Sequence, residues 1–292
     1  MADPGPGVRE WLLEGDPAVR WRVLDDPAER ARIATEGWGA RLLAFQDDDG
    51  NWGDGVYSPK WTSTTYTLLH LMWLGLEPGH PAALRGCEQV WSWQSRWRVP
   101  ETCIESMLVR LTCYFGYDSP RFEDAVADLL EQQLADGGWN CATRSEKDKH
   151  SSFHTSIQAL EALSKYAASG GKQDTGAAQL RGREFFLRHR LYKSHRTGDV
   201  AVRASTRFPA FPEWHFDVLR GLEYFAAVGA PPHDELSDAV ELVRWARRKD
   251  GRWSTYAQYP GLQWFKLEPS GPSRWNTSRA LRVLEWWESS GG

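Results

Sequence analysis

The chain of 292 residues carries 41% hydrophobic and 25% charged side chains and a formal net charge of −4, with a mean hydropathy of −0.56 and a pI near 6.1. That balance excludes fibrous, disordered and membrane-embedded proteins and, because affinity for phosphate backbones needs clustered Lys and Arg, a general nucleic-acid binder. No apolar run approaches the roughly 20 residues of a membrane span, and Met1-Ala2-Asp3-Pro4-Gly5-Pro6 lacks the basic and apolar regions of a signal peptide, so a cytoplasmic protein is expected.

Apolar residues at helical spacing predict helices, in chain order, over 7–14, 17–25, 27–46, 61–75, 81–97, 102–116, 120–134, 152–168, 177–191, 213–228, 233–248 and 274–288. Strand-like alternation is almost absent. Asp49-Gly50-Asn51-Trp52 follows the third of these helices, and the pattern returns as Asp136-Gly137-Gly138-Trp139 and Asp250-Gly251-Arg252-Trp253. Each copy precedes a loop and an amphipathic helix, which marks an internal repeat. The Gly takes positive φ to end a helix, and the Trp side chain is expected to lie back over the helix it terminates.

Three helix starts are rich in hydroxyls: Trp61-Thr62-Ser63-Thr64-Thr65-Tyr66, Ser151-Ser152-Phe153-His154-Thr155-Ser156 and Ser273-Arg274-Trp275-Asn276-Thr277-Ser278. A helix of this kind, apolar around its later circumference, is an inner helix buried between neighbours with its hydroxyl-bearing end near an opening. The segments 27–46, 122–133 and 235–248 carry a charged face and read as outer helices. The last helix has no outer partner after it, and the helix near 8–13 has no inner partner before it. The N-terminal helix is therefore expected to close a ring against the C-terminal helix. The fold class expected is all-α, an α/α toroid of about six helix pairs in a single domain over 1–292, with the Gly- and Ser-rich stretch 168–176 as a loop within it.

Gln132-Gln133-Leu134-Ala135-Asp136-Gly137-Gly138-Trp139 resembles the repeat of squalene and hopene cyclases and of protein prenyltransferase β subunits, and His154-Thr155-Ser156-Ile157-Gln158-Ala159-Leu160 is similar to their inner-helix starts. The likeness covers most of the chain as a repeat, with Asp-Gly-x-Trp its most specific element. It implies a toroid whose central apolar cavity holds an isoprenoid, hence a small hydrophobic ligand. Class II terpene cyclases protonate an alkene with the middle Asp of an Asp-x-Asp-Asp motif. This chain lacks that motif, since Asp47-Asp48-Asp49-Gly50 has another spacing and sits in the repeat turn. Protein prenyltransferases hold zinc with Asp, Cys and His. The residues the resemblance offers are Cys103, His154 and Asp217, although the flanking sequence matches only around His154. No cofactor is otherwise expected, zinc or magnesium being the additions left open.

In a toroid the inner-helix starts converge on the cavity mouth, which would gather Trp61, Tyr66, Cys103, Glu105, Phe153, His154, Trp214, His215, Asp217, Trp275 and Asn276. The 17 Trp residues exceed what core filling needs, and aromatic faces attract a passing cation by roughly 0.5–2 kcal/mol each. The same aromatics would also serve as ordinary core. Glu105 and Asp217 are the acid candidates, with His154 beside them, because burial raises a carboxyl's pKa and keeps its proton. Both carboxylates would equally suit a helix N-terminus. His150 and His154, four apart, would share a helical face and permit metal binding if both were helical.

The basic run Arg188-His189-Arg190-Leu191-Tyr192-Lys193-Ser194-His195-Arg196, followed by Arg203 and Arg207, would suit a diphosphate or simply end an outer helix. The loop 256–272, carrying Trp264 and Phe265, reads as a lid. Cys87, Cys103, Cys113 and Cys141 show no Cys-x-x-Cys spacing, so neither a disulfide framework nor a zinc knuckle is indicated. The expected function is an isoprenoid-handling enzyme of cyclase or isomerase type. A carbohydrate-active hydrolase or lyase with stacked sugars and paired carboxylates, and a non-catalytic scaffold glued by its Trp residues, stay open.

Overall fold

Each Asp-Gly-x-Trp copy ends a helix in the same way. The computed structural model, which describes residues 7–94, 101–141, 150–289 and 291, allows the copies to be compared atom by atom. They follow α4 (Gly37–Leu43), α8 (Phe122–Glu131) and α12 (Ser237–Trp245). The indole N–H of Trp52, Trp139 and Trp253 donates to Leu42, Leu129 and Val243 carbonyls at 2.8, 2.7 and 2.8 Å, ten residues back in each case. The backbone N–H of the same three Trp donates to the hydroxyls of Thr64, Ser156 and Thr277 at 3.0, 2.9 and 2.9 Å. Those hydroxyls lie on the first turns of α5 (Thr64–Leu74), α9 (Phe153–Ala168) and α13 (Arg274–Ser289). The hydroxyl-rich helix starts are thus used to tie the next helix to the Trp, and the indoles are buried locks between elements.

The Gln before the first two turns has its own task. Gln46 Nε2 donates to Gly50 O and Ala82 O at 2.9 and 2.8 Å, and Gln133 Nε2 to Gly137 O and Ala178 O at 2.7 and 2.8 Å. These bonds brace the turn against α6 (Pro81–Gln94) and α10 (Gly176–Arg188). In the third copy Arg247 Nε reaches Gly251 O at 3.2 Å instead. The turn glycines sit at φ 89, 98 and 79, a region costly for a side chain. At Gly137 a Cβ would also stand 2.5 Å from the Arg181 carbonyl, whereas at Gly79, φ 75, it would meet nothing within 4 Å. Gly137→Ala is therefore expected to lower stability by more than the about 1–3 kcal/mol of backbone strain alone, and Gly79→Ala by no more than that strain. Urea midpoints of the two variants check the ordering.

Two compact units are distinguished: Met1–Trp38 with Phe186–Pro260 and Phe265–Gly292, and Gly39–Phe185 with Gly261–Trp264. In the first, α1 (Val8–Leu13), α2 (Pro17–Leu24) and α3 (Pro27–Arg32) join α11 (Val218–Ala227), α12 and α13. Arg274 at the start of α13 donates through Nε to Trp11 O at 2.7 Å and lies 4.6 Å over the Trp11 ring, so the N-terminal and C-terminal helices of this unit are fastened together. A short antiparallel ladder, β1 (Trp253–Ser254) with β2 (Pro272–Ser273), leads into α13. In the second unit α7 (Thr102–Phe115) packs along α9, flanked by α5 and α8.

Two expected helices are corrected. The run 27–46 is broken into α3 and α4 because Asp16 accepts the Trp38 N–H at 2.7 Å, and a side chain at Gly37, φ 64, would stand 2.0 Å from that carboxylate. The helix expected over 213–228 begins at Val218, with Glu213 at φ 54 and Asp217 as its N-cap. Among the described residues the chain is mostly helical, and no helix is long and apolar enough to cross a membrane.

Candidate functional site

The Gly39–Phe185 unit brings aromatic residues from the start of α5, the segment before it and the end of α6 together around a cation. Trp61 meets Tyr66 edge-on at 4.7 Å, Tyr57 lies 5.4 Å from Tyr66, and Trp93, on the last turn of α6, stacks on Tyr57 at 5.8 Å. Lys60 Nζ sits 4.8 Å from the Tyr57 ring centre and 5.6 Å from those of Trp61 and Tyr66. Trp61 and Tyr66 are buried, while Tyr57, Lys60 and Trp93 are half-buried. Burial pushes the Tyr57 phenol up and the Lys60 ammonium down.

The strap Gly261–Trp264 holds this corner in place. Leu262 pairs its backbone with Lys60 O and Trp61 N at 2.6 and 2.9 Å. Trp264 stacks on Phe45 at 4.4 Å and donates to Thr67 Oγ1 at 3.0 Å. This part of the expected lid is hydrogen-bonded and stacked onto its own unit.

The Glu101 carboxylate opposes the effect of burial on Lys60 and adds to it on Tyr57. Glu101 is the N-cap of α7, Cys103 lies in its first turn, and Cys141 follows the locked Trp139 by two residues. Cys141 Sγ accepts from the Cys103 backbone N–H at 3.1 Å and from Thr155 Oγ1 at 3.6 Å, and the Cys103 thiol reaches Glu101 Oε2 at 3.8 Å. The closeness of the two sulfurs pushes the Cys103 thiol up and holds Cys141 below the usual thiol range. Burial pushes Cys87 up to about 12 and, against the pull of Ser169 and Lys165, Cys113 up to about 11.

Glu105 is buried one turn beyond Glu101 on α7. Phe153 is buried against Phe185 at 5.4 Å, and His154 is half-buried in the first turn of α9. His150 precedes that helix and is exposed, so the two histidines do not share a helical face.

The remaining predicted residues belong to the other unit. Trp214 stacks on His215 at 3.8 Å, and His215 on Tyr259 at 3.4 Å. Asp217 is fully buried and caps α11, its Oδ1 accepting the Arg220 N–H at 2.8 Å. Desolvation raises its carboxyl to about 6 against the pull of Arg279. Trp275 and Asn276 are buried ties rather than exposed wall: Trp275 Nε1 donates to Ala210 O at 2.8 Å, and Asn276 Nδ2 to Phe208 O at 2.7 Å. Arg196 and Arg203 are exposed.

Tyr57, Lys60, Trp93, Glu101 and Cys141 did not stand out in the sequence. The signal for Lys60 was its place between Tyr57 and Trp61. Cys141 meets Cys103 across 38 residues, a contact that no local spacing announces.

No family model matches the chain, and no curated protein matches it. Among solved structures, the crystal structure of a protein from Actinoplanes is similar to it at 16% identity and a TM-score of 0.47, covering 96% of this chain and 88% of that one.

Proposed function

We propose that the protein is an isoprenoid-handling enzyme whose ligand lies against the wall of Tyr57, Trp61, Tyr66 and Trp93. The observation that carries this reading is the Lys60 ammonium held among three of those rings. A surface whose negative ring faces stabilise one cation also suits a carbocation or an unsaturated apolar chain, and the ammonium suits an anionic end. Proton delivery is assigned to Glu105, the one of the two acid candidates that shares this unit. Asp217 has the role of a helix cap.

The test is binding and turnover of farnesyl diphosphate, geranylgeranyl diphosphate and squalene, read by tryptophan fluorescence and mass spectrometry. Lys60→Met is expected to weaken the diphosphates about tenfold and leave squalene unchanged, because only the former lose a charge-assisted hydrogen bond. Glu105→Gln is expected to lower turnover by about 100-fold or more with binding retained. Asp217→Asn, which keeps a capping oxygen, should leave turnover near that of the parent. Neither binding nor turnover of any of the three compounds would remove the reading. It would then favour a non-catalytic scaffold, which the structural use of Trp52, Trp139 and Trp253 already suits.

A further inference from the structure

We propose that Glu101, Cys103 and Cys141 form a zinc-binding site with an open coordination position. One carboxylate oxygen and the two sulfurs all lie within 4.8 Å of one another. Zinc bonds of about 2.3 Å to sulfur and about 2.0–2.2 Å to oxygen, at tetrahedral angles, place ligand atoms somewhat under about 4 Å apart, so modest side-chain rotation closes the group on an ion. Two thiolates select zinc over magnesium, which prefers all-oxygen ligands.

The positions that carry these ligands are well anchored. Cys103 stands in the first turn of α7, and Cys141 is two residues past Trp139, whose indole and backbone N–H are both hydrogen-bonded. The surroundings already supply outer partners for a metal-bound sulfur. Cys141 Sγ accepts from the Cys103 backbone N–H and from Thr155 Oγ1, and such donors orient a ligating atom and tune its basicity. The group is half-open, with Glu101 exposed and both cysteines half-buried, so an ion could enter and its fourth position would take water. Cys87 and Cys113 have no place in the cluster.

This set differs from the Cys103, His154 and Asp217 trio considered from the sequence. Asp217 caps α11 in the other unit, and Glu101 and Cys141 take the remaining places beside Cys103. The site is independent of the isoprenoid reading, because its test involves no lipid and its failure leaves that reading intact.

The full chain, purified from zinc-supplemented cells without chelator or metal-affinity resin and then desalted, is expected to retain about one zinc per chain by elemental mass spectrometry. Cobalt(II) added to the metal-stripped protein is expected to give a thiolate-to-cobalt charge-transfer band. Cys103→Ser and Cys141→Ser should abolish both signals, Glu101→Gln should weaken zinc retention at least tenfold, and Cys113→Ala should change neither. Circular dichroism checks that the serine variants fold. Should either misfold, the parent and Glu101→Gln decide the matter alone. Parent protein that holds no zinc and gives no cobalt band overturns the proposal, as does recovery of Cys103 and Cys141 as a disulfide from protein prepared under reductant.

Discussion

Trp139→Ala is expected to destabilise the protein by about 4 kcal/mol, in the range of about 3–5 kcal/mol found for emptying a fully buried Trp site. The ring is 0% exposed, and its neighbours cannot collapse into the space because they are themselves fastened. Gly182 approaches so closely that a Cβ there would stand 2.9 Å from Trp139 Cζ3 and 2.6 Å from Leu160 Cδ2. The truncation also removes the donor to Leu129 O, leaving a buried carbonyl in the last turns of α8 without its partner. Trp139→Phe, which keeps most of the volume and loses the N–H, should cost clearly less. Trp245, 84% exposed, supplies the control, and its replacement by Ala should stay within about 0.5 kcal/mol of the parent. Urea midpoints at constant slope measure all three. A loss at Trp139 under about 1 kcal/mol would contradict the role of the repeat Trp as a lock. The companion pair Trp52 and Gly86, where a Cβ would stand 2.7 Å from Trp52 Cζ3, should behave alike.

What could be read from the sequence was what acts over short distances. Asp-Gly-x-Trp was legible because its turn, its positive-φ glycine and its indole contact all fall within ten residues. The hydroxyl-rich helix starts were legible as a pattern, but their use was not. Thr64, Ser156 and Thr277 accept the Trp backbone N–H groups, a bond that joins elements 12, 17 and 24 residues apart. The break between α3 and α4 was hidden for the same reason, since Asp16 imposes it from 22 residues away. At the candidate site Trp61 and Tyr66 were found through local composition, and Cys103 through the family resemblance and its place at a helix start. Lys60 was missed because a lysine is ordinarily read as solvated, and Cys141 because its partner is remote in the chain. Glu105 and Asp217 were both flagged as carboxylates at helix starts, and only the structure shows that Asp217 caps α11 while Glu105 is buried within α7.

Glu223→Ala is expected to cost about 3 kcal/mol at neutral pH, and the pH dependence of stability gives the cause. Glu223 Oε2 accepts from Arg279 at 2.7 Å and its Oε1 from Arg22 at 2.9 Å, with the Arg279 side chain only 4% exposed. Removing the carboxylate takes from both guanidinium groups the ion pair they share, a loss of about 3–5 kcal/mol for a buried pair. Glu223 itself is 25% exposed, which places the effect at the lower end. Burial works to raise the Glu223 carboxyl, but Arg279 and Arg22 outweigh it and hold it at about 2. Its stabilising contribution is therefore complete above its ordinary value of 4.5 and is lost as pH falls from there toward 2. Asp217 runs the other way. Raised by desolvation from 3.8 to about 6, it costs stability when ionised, so lowering the pH from 7 to 4 should return about 2 kcal/mol, at about 1.4 kcal/mol per pH unit between the two values. Urea midpoints of the parent should rise from pH 7 to about 4.5 and fall below it. Asp217→Asn should flatten the rise, and Glu223→Gln the fall. The two effects should not add, because the charge of Glu223 helps to raise Asp217 and its removal lets Arg279 pull that carboxyl back down. A parent profile without the rise, or one that Asp217→Asn leaves unchanged, would contradict the assignment of Asp217 as a buried cap whose carboxyl is raised by desolvation.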